Sequence, residues 1–368
     1  MYAASPLLCT FSLATVVAAS YAANLFPIPV EASWTTSRST SGLPANVNQI
    51  DLSDQGVNLT KQAGGLPHDL VPAPGAGVAG NAWRASYPKG SYNPSGEPKG
   101  GFGFYFAGPS DIWAGADQIL FSYAVYFPGD FQFNMGGKLP GPYGGEDQEI
   151  AFGCTGGRQA DRDKCFDLRL MWRTNGAGEI YAYVPETDGN KEAGKELEGT
   201  VIDSSYGMSL ARGAFNFTPG DWTVVAERVR LNTPGQTDGE IELWVDGKSV
   251  IHATGLAIRS SASSTFRGVH CQTFFGGSTA DWASPVDQFA YFAEMSGAVL
   301  AAGASPADGK AAFPLASNDT TKGQTSGGTS PISSQGGTED GTGTALAVSP
   351  SIATSMTLAV LLLTFSQS

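Results

Sequence analysis

Charge is scarce in this sequence. Only 15% of its 368 residues are Asp, Glu, Lys or Arg, and it has three histidines and four cysteines. So few histidines, with no cysteine in zinc-ligand spacing, give no basis for a metal centre, and neither metal nor cofactor is expected. Basic residues are outnumbered 34 to 21, for a net charge of −13, which argues against nucleic acid as a partner. Helical periodicity is hard to find, which argues against a helical bundle. The apolar run Leu7–Ala19 is too short to span a bilayer and has no basic flank.

What is present divides the chain into four parts. Residues 1–23 read as a secretory signal peptide, with Ser20-Tyr21-Ala22 or Tyr21-Ala22-Ala23 as the cleavage site. Residues 24–300 leave ample length for one large β domain. Residues 301–345 are rich in Gly, Ser, Thr and Pro and poor in large apolar groups, so they are expected to form a disordered, flexible stalk. Residues 346–368 contain the apolar run Met356–Phe365, which follows the small-residue cluster Gly341–Ala345. That order matches a glycosylphosphatidylinositol anchor signal. The expected product is a secreted eukaryotic protein, held at the cell surface only through a lipid. Sequons at Asn58, Asn216 and Asn318 agree with export. Cys9 leaves with the signal peptide, Cys154 and Cys165 are expected to pair, and Cys271 is left over.

Short alternating runs between Gly, Pro, Asn and Asp predict strands over Gly101–Phe106, Gln118–Phe127, Glu149–Phe152, Phe166–Arg173, Glu179–Val184, Trp222–Leu231, Gly239–Val245 and Phe289–Met295. Many strands and few helices mean an all-β sandwich, jelly roll or barrel. Trp222–Val245 reads as a plain structural hairpin without chemistry.

The hairpin from Asp167 to Tyr183 is different. Alternation puts Asp167, Arg169, Met171 and Arg173 on one face and Leu168, Leu170 and Trp172 on the core side. After Asn175-Gly176, Glu179, Tyr181 and Tyr183 share a face. A five-residue loop from Thr174 to Gly178 would pair Arg173 with Glu179, Met171 with Tyr181 and Arg169 with Tyr183. This face reads equally as a solvated surface with cross-strand ion pairs or as a site. Guanidinium groups suit carboxylates, and phenols can pass protons if nearby cations lower their pKa. Upstream, Asn134–Gly145 sets five glycines around Lys138, as in a loop that turns sharply or lets a ligand come close.

At these segments the chain resembles the family-14 polysaccharide lyases, which include alginate and glucuronan lyases of molluscs, algal viruses and microbes. The matching residues are Gly136-Gly137-Lys138-Leu139-Pro140-Gly141, Arg169-Leu170-Met171-Trp172-Arg173 and Glu179-Ile180-Tyr181-Ala182-Tyr183. The likeness continues in Tyr87–Tyr92, Arg212–Phe215 and Gln272–Gly277, and covers about residues 80–296 in order. It implies a β-jelly-roll sandwich with a concave glycan-binding groove and β-elimination of a uronic-acid polymer. It places catalytic roles on Lys138, Arg169, Tyr181 and Tyr183: Lys138 and Arg169 at the substrate carboxylate, the tyrosines in proton transfer, and Lys138 also as a candidate base. Asp167 stands where some members have a serine, so it either repels a uronate or orients Arg169. Arg84, Arg173 and Gln272 are candidate subsite contacts. The expected partner is an acidic polysaccharide, bound by a monomer.

Two rival readings stay open. Asp147 and Glu149 on one strand face, roughly 6.6 Å apart, are a candidate glycoside-hydrolase pair. A non-catalytic cell-surface lectin on the same sandwich is the other.

Overall fold

A computed structural model of the chain describes residues 21–63, 66–155 and 157–301. They belong to the first of two compact units, Met1–Ser317; the second is Asn318–Ser368. The expected stalk and anchor signal, Asn318 and nearly all of the expected signal peptide lie outside the described residues.

Within them the strands run β1 (Ala32–Thr35), β2 (Asn48–Gln49), β3 (Leu59–Gln62), β4 (Asp69–Pro72), β5 (Asn81–Tyr87) and β6 (Phe102–Phe106). Next come β7 (Gln118–Tyr126), β8 (Gly136–Lys138), β9 (Gly141–Gly145), β10 (Cys165–Arg173), β11 (Ala177–Tyr183) and β12 (Val201–Asp203). The last are β13 (Gly207–Asn216), β14 (Trp222–Arg230), β15 (Gly239–Val245), β16 (Lys248–Leu256), β17 (Thr265–Phe275) and β18 (Gln288–Val299). Two helices interrupt them, α1 (Gln148–Phe152) and α2 (Asp188–Lys195).

The strands form two nine-stranded sheets of a jelly-roll type sandwich. The first has the order β16-β15-β14-β7-β18-β1-β2, with β5 on β18 and β4 on β5; the second has the order β12-β13-β11-β10-β8-β17-β6-β3. There β9 continues the line of β8 between β10 and β17. Alternation sends Trp83, Phe104, Phe121, Leu168, Leu170, Trp172, Ile180 and Val225 into one core between the sheets. Each large apolar side chain so buried contributes about 1.5–3 kcal/mol.

Seven of the eight expected strands are present, within a few residues at their ends. The eighth, Glu149–Phe152, is helical. Asp147 sits at its N-cap, where its carboxylate accepts a hydrogen bond from the Ile150 amide, and such a cap favours a turn of helix over extension.

The Trp222–Val245 hairpin forms, but one of its features is not plain. Leu25, Phe26 and Ile28 are buried with Val224 and Ala226 of β14, while Val225 and Val229 belong to the inter-sheet core. Both faces of β14 are therefore covered, and Glu227 shares the inner face of Val225 and Val229. It is 2% exposed and neither carboxylate oxygen has a partner. Loss of hydration, and secondarily the Asp167 charge, push its pKa well above the carboxylate range. Burial likewise pushes Glu294 on β18 up to about 7, opposed by a hydrogen bond from Ser37.

These groups bind protons in the folded chain and lose them more readily when unfolded. Their stabilising effect is complete below the unfolded carboxylate pKa of about 4.3. It is lost as pH rises through the folded value, about 7 for Glu294. Glu227→Gln is expected to raise the melting temperature more at mildly alkaline than at acidic pH. An equal shift at both would contradict the linkage.

Candidate active site

Lys138 is placed by a strand almost without side chains. Gly136–Lys138 pairs with Met171–Arg173 on one side, and Lys138 and Gly137 pair with Phe274 and Phe275 on the other. A Cβ on Gly137 would fall 2.0 Å from the Trp172 ring, and one on Gly144 2.2 Å from Phe166. The missing side chains are thus replaced by large rings of the neighbouring strand. Lys138 points the other way, to the outer face of the second sheet. Its Nζ lies 2.7 Å from Met171 Sδ and 3.1 Å from the centre of the Tyr181 ring. Burial first, then the positive charges of Arg169 and Arg173, hold its pKa well below the usual lysine value, against the opposing pull of Glu179 and Asp167.

The hairpin keeps the predicted faces but not the predicted register. Asp167 opposes Tyr183, Arg169 opposes Tyr181 and Met171 opposes Glu179. A tight 3-10 turn over Thr174–Gly176, with Asn175 and Gly176 at positive φ, lets pairing reach Trp172 and Gly178. The slip is even, so no side chain changes face. The rings of Tyr181 and Tyr183 meet edge to face at 5.3 Å. Each phenol acts on the other, and the Gly157 backbone acts on Tyr183. Burial raises both phenol pKa values; Arg169 opposes this at both.

Asp167 and Arg169 do not line an open surface. They are 2% and 1% exposed. Asp167 Oδ1 lies 3.1 Å from Arg169 Nε, and Oδ2 lies 2.7 Å from His270 Nδ1. Arg169 also donates to Gln272 Oε1 at 2.8 Å and to Thr155 Oγ1 at 2.9 Å. Tyr105 stacks on the His270 ring, and Phe152 of α1 packs on Tyr105 and Tyr143. The segment bearing α1 thus roofs this network, and the Cys154–Cys165 disulfide ties it to the start of β10. Burial, then Arg169, lowers the His270 pKa to about 4, so the imidazole is neutral at pH 7. Asp167 is the orienting partner of Arg169, not a free carboxylate facing a ligand.

The matching protein-family model, described as Polysaccharide lyase 14, spans residues 77–295, more than half of the chain. The chain belongs to polysaccharide lyase family 14. Among solved structures, it is similar to the marine PL-14 alginate lyase from Aplysia kurodai, at 39% identity and a TM-score of 0.55, over 60% of this chain and 84% of that one. Alginate lyase vAL-1 from Chlorella virus shares the fold, at 21% identity and a TM-score of 0.54, over 68% and 98% of the two chains. No curated protein sequence matches the chain.

Several expected lyase residues lie elsewhere or act differently. Arg84 is on β5 of the first sheet, where Trp83 and Ala85 take the core positions and turn it outward, onto Asp69 and the Phe289 ring. It is no part of the site. Gln272 is tied to Arg169 in the buried network. Arg173 reaches Glu179 and Ser209. Asp147 caps α1 and Glu149 is exposed on it, so they do not share a strand face as a hydrolase pair would. Asn58 and Asn216 are exposed. Cys271 is buried, and burial raises its thiol pKa. His270 and Thr155 are not singled out by pattern, and Arg212 stands in the matching segment Arg212–Phe215 without a role assigned to it. His270 shares a face of β17 with Gln272, two residues on, which is the one signal that points to it.

Asp167→Ala would leave Arg169 buried without its partner, at a cost of about 3–5 kcal/mol. Denaturant unfolding checks this, and a loss below about 1 kcal/mol would mean the pair is dispensable.

Proposed function

We propose that this protein cleaves a uronic-acid polymer, of alginate or glucuronan type, by β-elimination at the cell surface. The observation that carries the reading is Lys138: a buried amine, resting on the Tyr181 ring and flanked by two guanidinium groups. Family membership supports the reaction class.

Elimination needs a base for the proton at C5, stabilisation of charge on the uronate carboxylate, and an acid for the departing O4. Lys138 is suited to be the base, because burial and its cationic neighbours favour the neutral amine. The C5–H electrons form the C4–C5 double bond through an enolate-like state as the C4–O4 bond breaks. Tyr181, whose raised pKa keeps it protonated, gives its proton to O4. Solvent exchange then returns Nζ and the phenol to their starting states. Tyr183 acts through Tyr181, whose ring it packs against edge to face. Arg169 is too deep to grip a sugar and contributes positive potential from below. That potential, with Arg173, is what the carboxylate meets as its charge grows, and preplaced charge of this kind lowers the barrier. In a protein of net charge −13 the cations are concentrated where the substrate is most negative.

Residues 24–300 are expected to release products with the ultraviolet absorbance of an unsaturated uronate from at least one of alginate or glucuronan, without added metal. Lys138→Ala and Tyr181→Phe should each lower turnover roughly a hundredfold or more with the fold intact. Reducing ends without that absorbance would point to hydrolysis, binding without cleavage to a lectin, and wild-type rates in both variants to another site. In the pH profile, kcat/KM should rise as Lys138 deprotonates, well below the free-lysine value of about 10.4, and fall only when Tyr181 ionises, above about 10. An alkaline rise centred near the free-lysine value would remove Lys138 as the base.

A further inference from the structure

Past Lys138, toward the turn end of β10, the outer face of the second sheet carries a second cationic cluster, of which the reaction above draws only on the positive potential of Arg173. Glu179 is fully buried at 0% exposure. Its Oε1 accepts from Arg173 Nη2 at 2.5 Å and from Ser209 Oγ at 2.9 Å, and its Oε2 accepts from Arg212 Nε at 2.7 Å. Arg212 Nη2 donates to the same Ser209 hydroxyl at 2.8 Å. Two guanidinium groups thus share one carboxylate, and the cluster keeps one positive charge in excess.

That excess is not an ordinary surface pair. One carboxylate suffices to neutralise one guanidinium, so the second cation is held in place without a charge partner of its own. Arg173 Nε is buried and has no hydrogen-bond partner. The Arg212 side chain is 36% exposed, so its remaining N–H groups are open to an incoming anion. A planar fork held at a fixed angle suits a carboxylate, because both oxygens can be met at once and little side-chain freedom remains to be lost.

One side of the cluster is walled by Trp282, whose ring lies 5.7 Å from the Arg173 guanidinium carbon. The indole packs flat on Gly277, where a Cβ would fall 2.0 Å from it. Its loop is fastened by Asn134, whose amide donates to the carbonyls of Asp281 and Ala283 at 2.8 Å each. Met171 opposes Lys138, and Arg173 follows two residues later on the same face. The cluster therefore starts roughly 6.6 Å along the strand from the proposed base, a step on the scale of one sugar.

We propose that Arg173 and Arg212, fixed by Glu179 and walled by Trp282, form a second carboxylate-binding subsite for the uronate next to the pair being cleaved. The subsite rests on the polyuronate reading given above and adds chain-length dependence to it.

The test compares binding of a uronate disaccharide and tetrasaccharide by calorimetry, in full-length Lys138→Ala protein with and without Arg212→Gln. Arg212→Gln should weaken the tetrasaccharide roughly tenfold, as expected for one charge-assisted contact, and leave the disaccharide nearly unchanged. The difference should shrink with added salt. Equal loss at both lengths, or none, would overturn the subsite. Should circular dichroism show the glutamine variant unfolded, Arg212→Lys keeps the charge but not the fork. It should still weaken the tetrasaccharide selectively, and unchanged binding would overturn the proposal. The two readings fail separately. A wild-type protein that forms no unsaturated product loses the lyase reading, whereas one that cleaves with the same length dependence in Arg212→Gln loses only the subsite.

Discussion

Between β10 and β17 the chain passes as two short strands whose inward positions at Gly137 and Gly144 hold no side chain. Trp172 and Phe166 of β10 occupy that space instead. This close approach fixes the rest of the site. It presses the strand of Lys138 against β10, so that the amine-bearing side chain must lie over Met171 and Tyr181 and is largely cut off from water. It also brings the guanidinium groups of Arg169 and Arg173 near enough to act on the amine. Any side chain at Gly137 would move Trp172, and with it the core beneath the site.

Burying so many charges on one sheet face requires that most of them be compensated. Asp167 answers Arg169 and is itself met by a neutral His270. Glu179 answers Arg173 and Arg212. The arrangement is costly to break, since removal of one member strands another without water. Its return is rigidity: the cations are held at fixed positions before a ligand arrives, where they act on charge that develops later. Lys138 has no carboxylate paired with it, and burial, then the neighbouring guanidinium groups, displaces its protonation toward the neutral form.

Much of this was legible in the sequence because alternation in a two-layer sandwich is strict. The faces of the Asp167–Tyr183 hairpin, the core positions of Leu168, Leu170 and Trp172, and most strand limits follow from period-two patterning. Register was less legible, because the 3-10 turn at Thr174–Gly176 closes the hairpin more tightly than a five-residue loop starting at Thr174. Pattern also could not foresee that α1 would fold over the sheet. That roof converts Asp167, Arg169 and Gln272 from surface groups into a buried network, and it removes Asp147 and Glu149 from any shared strand face. Arg84 failed for a different reason: its neighbours in sequence resemble the family, but its strand belongs to the other sheet. Glu227 escaped notice because β14 is covered on both faces, so the usual split into an apolar and a polar side does not apply.

The account turns on one state of one group: Lys138 as a neutral amine at the pH where the protein works. Nuclear magnetic resonance titration of a selectively labelled lysine side chain, assigned with Lys138→Arg, measures it directly. The account predicts that the Lys138 amine ionises well below the free-lysine value of about 10.4, and that Arg169→Gln, where it folds, moves it back upward. An amine that titrates at the ordinary value, unmoved by the loss of Arg169, would contradict it.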